Sequence, residues 1–382
     1  MSNPELDLSK SEDLLTYLST TPFASTKAVQ LTGGYGNYVF RMFLRTEYEG
    51  RDKLVVKHGK PFIPGSPDLT FSLDRQKYEV EALKQVKSLL PPTSLVTVPT
   101  IHLFDDKAAI IVMDDCGENV INLKQLMLTS PPTRHVATKI GTELGKFLAF
   151  LHNMGRKEQN RELVKFLNGN EQAKRVSAWA THGRVVSSLK EDSTGLFSDT
   201  PQPFTQEQLD RLEDIAKKSG AKIAKASVDD GITMGDFWPG NILVDLSLEG
   251  DGKVQVKRLY LVDWELVKTG PAAADVGQFC AEMYQLRRFK AEECGEPATK
   301  ITEAFLEAYH KEREGVDGKW SAFARYALSH IGAHLIVWTP IIDWGGKERT
   351  REVVLEGVKF FEDGYTGSEE SVRTSVVGRL CF

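Results

Sequence analysis

Asp236 and Asn241 stand five residues apart in the turn-rich stretch ITMGDFWPGNILVD, and Asp263 follows twenty-two residues later at the end of the short apolar run LYLVD. A carboxylate able to take a hydroxyl proton, with an amide and a second carboxylate able to offer oxygen to Mg²⁺, is the set of groups that phosphoryl transfer from a nucleotide requires. These residue types are common. The spacing gains weight only if the rest of the chain supplies parts that hold a nucleotide.

The elements upstream are arranged to do so. Alternating apolar residues Val39, Phe40, Met42 and Leu44 predict a strand, KLVVKHG predicts a second, and before them lies Gly33-Gly34-Tyr35-Gly36-Asn37. A glycine-rich hairpin lets backbone N–H groups approach phosphate oxygens because no Cβ intervenes, although the same glycines also serve a plain turn. Lys57 lies twenty-four residues after Gly33 on the second strand, beside Val55 and Val56. Burying an unpaired ammonium is costly, so Lys57 needs an anion. The helix expected over Leu73–Leu90 offers Glu79 near its middle. The alternative is that Lys57 reaches water at a strand end and Glu79 is a solvated helix charge. Two more strands follow, and the second ends abruptly at Asp114-Asp115-Cys116-Gly117. That break reads as a connector at 114–118 between an N-terminal lobe (1–113) and a larger lobe (119–382), with backbone near Met113, Asp114 and Cys116 placed for an adenine edge.

Beyond the connector the pattern is helical apart from the short run before Asp263. Ile140, Leu144, Phe147, Leu148 and Leu151 form one stripe, with Gly155 as a stop and His152 as a packed or capping residue. Residues 156–230 read as a polar helical insertion without visible chemistry, in which Thr205 and Gln208 resemble a capping box. The C-terminal stretch from Tyr365 is weakly hydrophobic and is expected to be mobile. A length of 382 residues, 41% hydrophobic and 26% charged, suits a globular chain of two lobes. A net charge of −5 with interspersed signs gives no general pull toward nucleic acid or anionic membrane. HLIVWTPII is too short to span a bilayer, and the N-terminus lacks the pattern of a signal peptide. Four cysteines without metal-ligand spacing predict free thiols, no zinc site and a cytosolic address.

Together GGYGNYVFR, LVVKHG, MGDFWPGNILVD and LVDWELVKTGPAAADVG resemble the aminoglycoside phosphotransferase and choline kinase superfamily. Within it the likeness is greatest to the methylthioribose kinase branch and to fungal 4-hydroxytryptamine kinases, and it covers nearly the whole chain. The resemblance implies an α+β, bilobal protein-kinase-like fold and an ATP- and Mg²⁺-dependent transfer to a hydroxyl of a small metabolite. It implies that Asp236 is the catalytic base, that Asn241 and Asp263 hold Mg²⁺, and that Glu265 joins the metal shell or faces the substrate. Gly33, Gly34, Gly36, Asn37 and Lys57 would hold phosphate with Glu79 as the lysine's partner, and Asp275 would brace the catalytic loop. Two departures stand out. Met234 occupies the position where the family usually has histidine, and no activation segment follows DWE, since Asp275 comes only twelve residues after Asp263. The second makes a protein acceptor unlike this chain. Trp238, Trp338, Asp343 and Trp344 are the acceptor-side candidates, since aromatics with a carboxylate suit an organic amine or a flat ring, but buried tryptophans and a solvated aspartate explain them as well. A catalytically silent pseudokinase, serving as a nucleotide-binding or a scaffold protein, is the competing expectation, and oligomeric state is not legible.

Overall fold

The computed structural model describes residues 6–32, 36–63, 66–190, 195–198, 203–248, 250, 252–316 and 318–381. The chain forms two compact units, Met1–Leu90 with Thr97–Val120, and Pro91–Val96 with Ile121–Phe382.

In the smaller unit, helix α1 (Ser11–Leu18) buries Leu14 and Leu18, one turn apart. A five-stranded antiparallel sheet follows, ordered β1-β2-β3-β5-β4 from β1 (Ser25–Leu31), β2 (Asn37–Tyr48), β3 (Arg51–Gly59), β4 (Ile101–Asp105) and β5 (Ile110–Asp114). Period-two alternation sends Phe40 and Met42 of β2 into the same cluster as Leu54, Val56, Ile110, Val112 and the leucines of α1. Helix α2 (Arg75–Leu89) lies on the other face, with Val80 against Ile111 and Met113.

The larger unit holds β6 (Ile121–Asn122), α3 (Leu123–Thr129) and α4 (Arg134–Met154). The middle segment supplies α5 (Arg161–Asn168), α6 (Glu171–Ala178), α7 (Val185–Lys190) and α8 (Gln206–Ala224), the last capped by the Thr205 hydroxyl accepting from the Gln208 N–H. Next come β7 (Ile232–Thr233), β8 (Ile242–Leu248), β9 (Val254–Leu261) and β10 (Lys268–Thr269). The long helices α9 (Ala273–Phe289), α10 (Ala291–Glu312), α11 (Trp320–Trp338) and α12 (Lys347–Thr366) complete it. Helices α4 and α10 approach so closely that a Cβ at Gly141 would lie 2.3 Å from the Ile301 carbonyl oxygen.

Two expectations need correction. The region after the connector is not helical throughout: β8 pairs with β9 and β6, and β7 pairs with β10, all antiparallel. These strands are two to eight residues long, too short for a period to stand out, and pairing across the sequence stabilises them. The C-terminal stretch is not loose either. Val372, Val377 and Leu380 are almost fully buried, so three well-placed apolar residues pin a segment whose average hydrophobicity is low.

Candidate active site

Ladder β7–β10 sets the entry to the loop that carries Asp236, pairing Ile232 with Thr269 and Thr233 with Lys268. The chain then turns at Gly235, which has φ of +80°, and a Cβ there would lie 2.2 Å from the Leu266 carbonyl oxygen. Only glycine fits both demands. Asp275, in the first turn of α9 and almost fully buried, accepts hydrogen bonds from the backbone N–H of Met234 (2.8 Å) and Gly235 (3.0 Å). Met234 itself is packed in the core. His152 of α4 places Nε2 3.2 Å from Asp275 Oδ2 and Nδ1 2.7 Å from the Tyr309 hydroxyl. Burial holds the His152 pKa below its ordinary value, so the ring is neutral at pH 7. Asp275 can only accept, so Nε2 carries the proton and the Tyr309 hydroxyl donates to Nδ1.

The Asp236 carboxylate is fixed from two sides. Asn241 Nδ2 donates to Oδ2 at 2.9 Å, and Gln278 Nε2 donates to Oδ1 at 2.7 Å. Asn241 also donates to the Asp236 carbonyl, and its own carbonyl accepts from the Val262 N–H, which ties the loop to the end of β9. Gln278 escaped the sequence reading. Its only signal was its place three residues after Asp275, on the same face of a helix.

Asp263 adopts φ of +63°, a left-handed conformation that aspartate tolerates better than most residues and that surrounding packing must maintain. Trp264 is the anchor: it is fully buried, its ring edge meets Phe147, and its indole N–H donates to the Leu261 carbonyl. Asn170, just before α6, donates to the Val267 carbonyl at 2.9 Å, so the middle segment supports this turn although no chemistry was legible in it. Burial first, then the charge of Asp263, with Glu265 adding, push the Asp236 carboxyl up to about 7 despite the bonds from Gln278 and Asn241. Asp263 and Glu265 therefore lie close enough for their charge to be felt at Asp236, whose carboxylate is bonded by Asn241. Among the described residues no group of three or more His, Cys, Asp or Glu is arranged to hold a metal ion. An open set of one or two carboxylates and an amide oxygen is what Mg²⁺ uses when phosphate and water complete its shell, so these residues fit that ion.

In the smaller unit, Lys57 Nζ lies 2.8 Å from both carboxylate oxygens of Glu79, and both residues are buried. Gly33 and Gly34 lie outside the described residues. Asn37 begins β2, and its side chain is engaged by Arg75, whose guanidinium donates to Asn37 Oδ1 and to the Gly36 carbonyl. Arg75 is almost fully buried and also holds the carbonyls of Lys60, Phe71 and Ser72, a brace that the sequence reading missed. Met113 is in β5, paired with Val55. The Asp114 N–H is committed to the Thr100 carbonyl, and its carboxylate to Arg51, His102 and the Thr100 N–H, so neither is available to a nucleotide edge. Burial pushes the Cys116 thiol up to about 12, which leaves it inert at neutral pH.

The acceptor-side candidates do not all meet. Trp238 and Trp344 both face Lys124 of α3, whose Nζ is 5.2 and 5.3 Å from their ring centroids. Trp338 stacks against His334 and carries Arg184 over its face at 4.6 Å. Asp343 is exposed and accepts the Gly345 N–H. The carboxylate beside the tryptophans is Glu282 of α9, 2.9 Å from Lys124 Nζ and 3.1 Å from His334 Nε2.

A choline kinase from Cryptosporidium parvum superposes with a TM-score of 0.51 at 11% identity, covering 97% of this chain and 99% of its own, which defines a kinase-like α+β fold. The sequence model of the phosphotransferase enzyme family matches residues 28–317, and the chain belongs to that family. It is 28% identical to a 4-hydroxytryptamine kinase of Psilocybe cyanescens and 27% identical to one of Psilocybe cubensis, with 97% of each chain covered in both cases. It is therefore a small-molecule kinase. No helix among the described residues is long and apolar enough to cross a membrane.

Proposed function

We propose that the chain transfers the γ-phosphoryl group of ATP to the hydroxyl of a small, flat, hydroxylated metabolite. The observation that carries this reading is Asp236, clamped between Asn241 and Gln278 with Asp263 and Glu265 at hand. Asp236 orients the acceptor hydroxyl and takes its proton as the oxygen bonds to the transferred phosphoryl group, a role that contributes about 10²–10⁴-fold. Gln278 and Asn241 keep the carboxylate plane fixed, which preserves the line between the acceptor oxygen and phosphorus. Asn241 and Asp263, with Glu265 beside them, would hold Mg²⁺, which when bound screens the phosphate charge that builds during transfer. Lys57, oriented by Glu79, would hold nucleotide phosphate, and the segment 114–118 would serve as the connector beside the adenine. The 4-hydroxytryptamine kinases make hydroxylated indoles the first acceptors to try, and the faces of Trp238 and Trp344 suit such rings. Four unpaired thiols fit a reducing, cytosolic setting.

The test is Asp236→Asn. Turnover, read as ADP release over a panel of hydroxylated indoles, methylthioribose and aminoglycosides, should fall by at least about 10²-fold. Stabilisation of the fold by Mg²⁺ and ATP should persist. Wild-type turnover in the variant would remove Asp236 as the base. A wild-type protein that saturating nucleotide does not stabilise would return the silent-scaffold reading.

A further inference from the structure

Helix α9 carries a polar stripe on one face: Asp275, Gln278, Glu282 and Gln285, at spacings of three and four. Each residue does a different job along the line. Asp275 holds the backbone of the catalytic loop, Gln278 holds the Asp236 carboxylate, Glu282 holds Lys124 and His334, and Gln285 holds the Thr339 hydroxyl. Four residues of helix rise about 6 Å, so Glu282 stands about that far along the axis from the group that touches Asp236. That is the distance between the two ends of a small aromatic acceptor.

At this second point the protein has built a seat for a cation. Two indole faces, Trp238 and Trp344, stand 5.2 and 5.3 Å from one ammonium, and a buried carboxylate lies 2.9 Å away. Trp344 is steadied by stacking on Phe289, with ring centroids 4.8 Å apart and planes 8° from parallel. Glu282 is steadied by His334, which lies one turn beyond His330 on α11. The occupant is the chain's own Lys124, whose side chain is 16% exposed.

Resting on the phosphotransfer reading above, we propose that Lys124 is a specificity-determining residue: it fills an ammonium seat from within, so that the acceptor need not carry a cation there and an amine-bearing acceptor gains nothing from the seat. Two aromatic faces and a desolvated carboxylate favour any compact ammonium by more than a single surface contact does. While Lys124 is present that attraction is spent internally. Removal of the lysine leaves the buried Glu282 with His334 alone beside it, a loss that an added ammonium makes good. The acceptor class follows as hydroxylated aromatics recognised by their ring and hydroxyl, with discrimination for or against an amine controlled at position 124.

The decisive measurement does not depend on turnover. Thermal unfolding of wild type, Lys124→Ala and Lys124→Ala/Glu282→Gln is followed with ethylammonium chloride and with sodium chloride at equal ionic strength. Ethylammonium should raise the midpoint of Lys124→Ala above its sodium chloride value by at least about 2 °C and leave the other two unmoved. Lys124→Val, which restores part of the apolar stem but leaves the seat open, serves if the alanine variant does not fold unaided, and the same ammonium-specific gain is expected of it. No such gain in either variant, or an equal gain in wild type, overturns the proposal. A second arm compares 4-hydroxyindole with 4-hydroxytryptamine. The ratio of kcat/KM for amine over neutral acceptor should rise at least about tenfold on removing Lys124, while Lys124→Arg keeps the wild-type ratio. An unchanged ratio counts against the assignment. If wild type phosphorylates neither compound, the reading of the acceptor is at fault, and the ethylammonium result still decides the seat.

Discussion

Replacing Asp275 by asparagine tests how the catalytic loop is held. One carboxylate oxygen accepts from Met234 N–H and His152 Nε2, both buried, and the other from the part-buried Gly235 N–H. Asparagine keeps one oxygen and turns an NH₂ toward a donor. The better orientation retains the Met234 and His152 bonds and leaves the Gly235 N–H facing another donor. A charge-assisted bond is lost and a part-buried N–H goes unsatisfied, a combined cost of about 2–4 kcal/mol. With about 2–4 °C for each kcal/mol in a unit of this size, the thermal midpoint should fall by roughly 4–16 °C. Catalysis should suffer as well, because Gly235 carries the turn into Asp236 and misplacing a reacting group by about 1 Å costs on the order of 10²-fold. Calorimetry and ADP release check the two effects. The exposed pair Arg134–Glu296 supplies a control, since Glu296→Gln should alter stability by less than about 1 kcal/mol. A midpoint within about 1 °C of wild type, with kcat/KM within about twofold, would refute the claim that Asp275 holds the loop.

Gly235→Ala should lose more than about 2 kcal/mol, since its φ is positive and its Cβ would strike the Leu266 carbonyl, and denaturant titration of the variant reads this directly. Burial pushes the Glu282 carboxyl up, but the bonds and charges of His334 and Lys124 outweigh it and hold the group at about 2. A depressed carboxyl contributes stability above its unfolded pKa near 4.5, and that contribution disappears as pH falls toward 2. It amounts to about 3 kcal/mol. Urea midpoints between pH 5 and pH 2 should therefore fall more steeply for wild type than for Glu282→Gln, and parallel slopes would count against it.

Much of the site was legible because its parts are local. Asp236 and Asn241 lie on one turn, Asp263 follows a strand by two residues, and the lysine and glutamate that meet at 2.8 Å each sit in an element whose period is plain in the sequence. Gln278, Arg75 and Glu282 were not legible. Each is a polar residue on a buried helix face, and its partner comes from a distant part of the chain, so no spacing marks it. Asp343, close to two tryptophans in sequence, is exposed and bonded to the Gly345 N–H, a placement that no spacing shows.

Composition, periodicity and motif spacing thus pointed to the strands of the smaller unit, the long helices of the larger one and the candidate phosphate-handling groups, because those depend on local pattern and residue chemistry. Tertiary structure alone decided which helix faces meet. It brought His152 to Asp275, committed Asp114 to Arg51 and His102, and set Lys124 between two indoles over Glu282. Those contacts join residues as far apart as Lys124 and Trp344, 220 positions along the chain, and their geometry exists only once the core that buries them has formed.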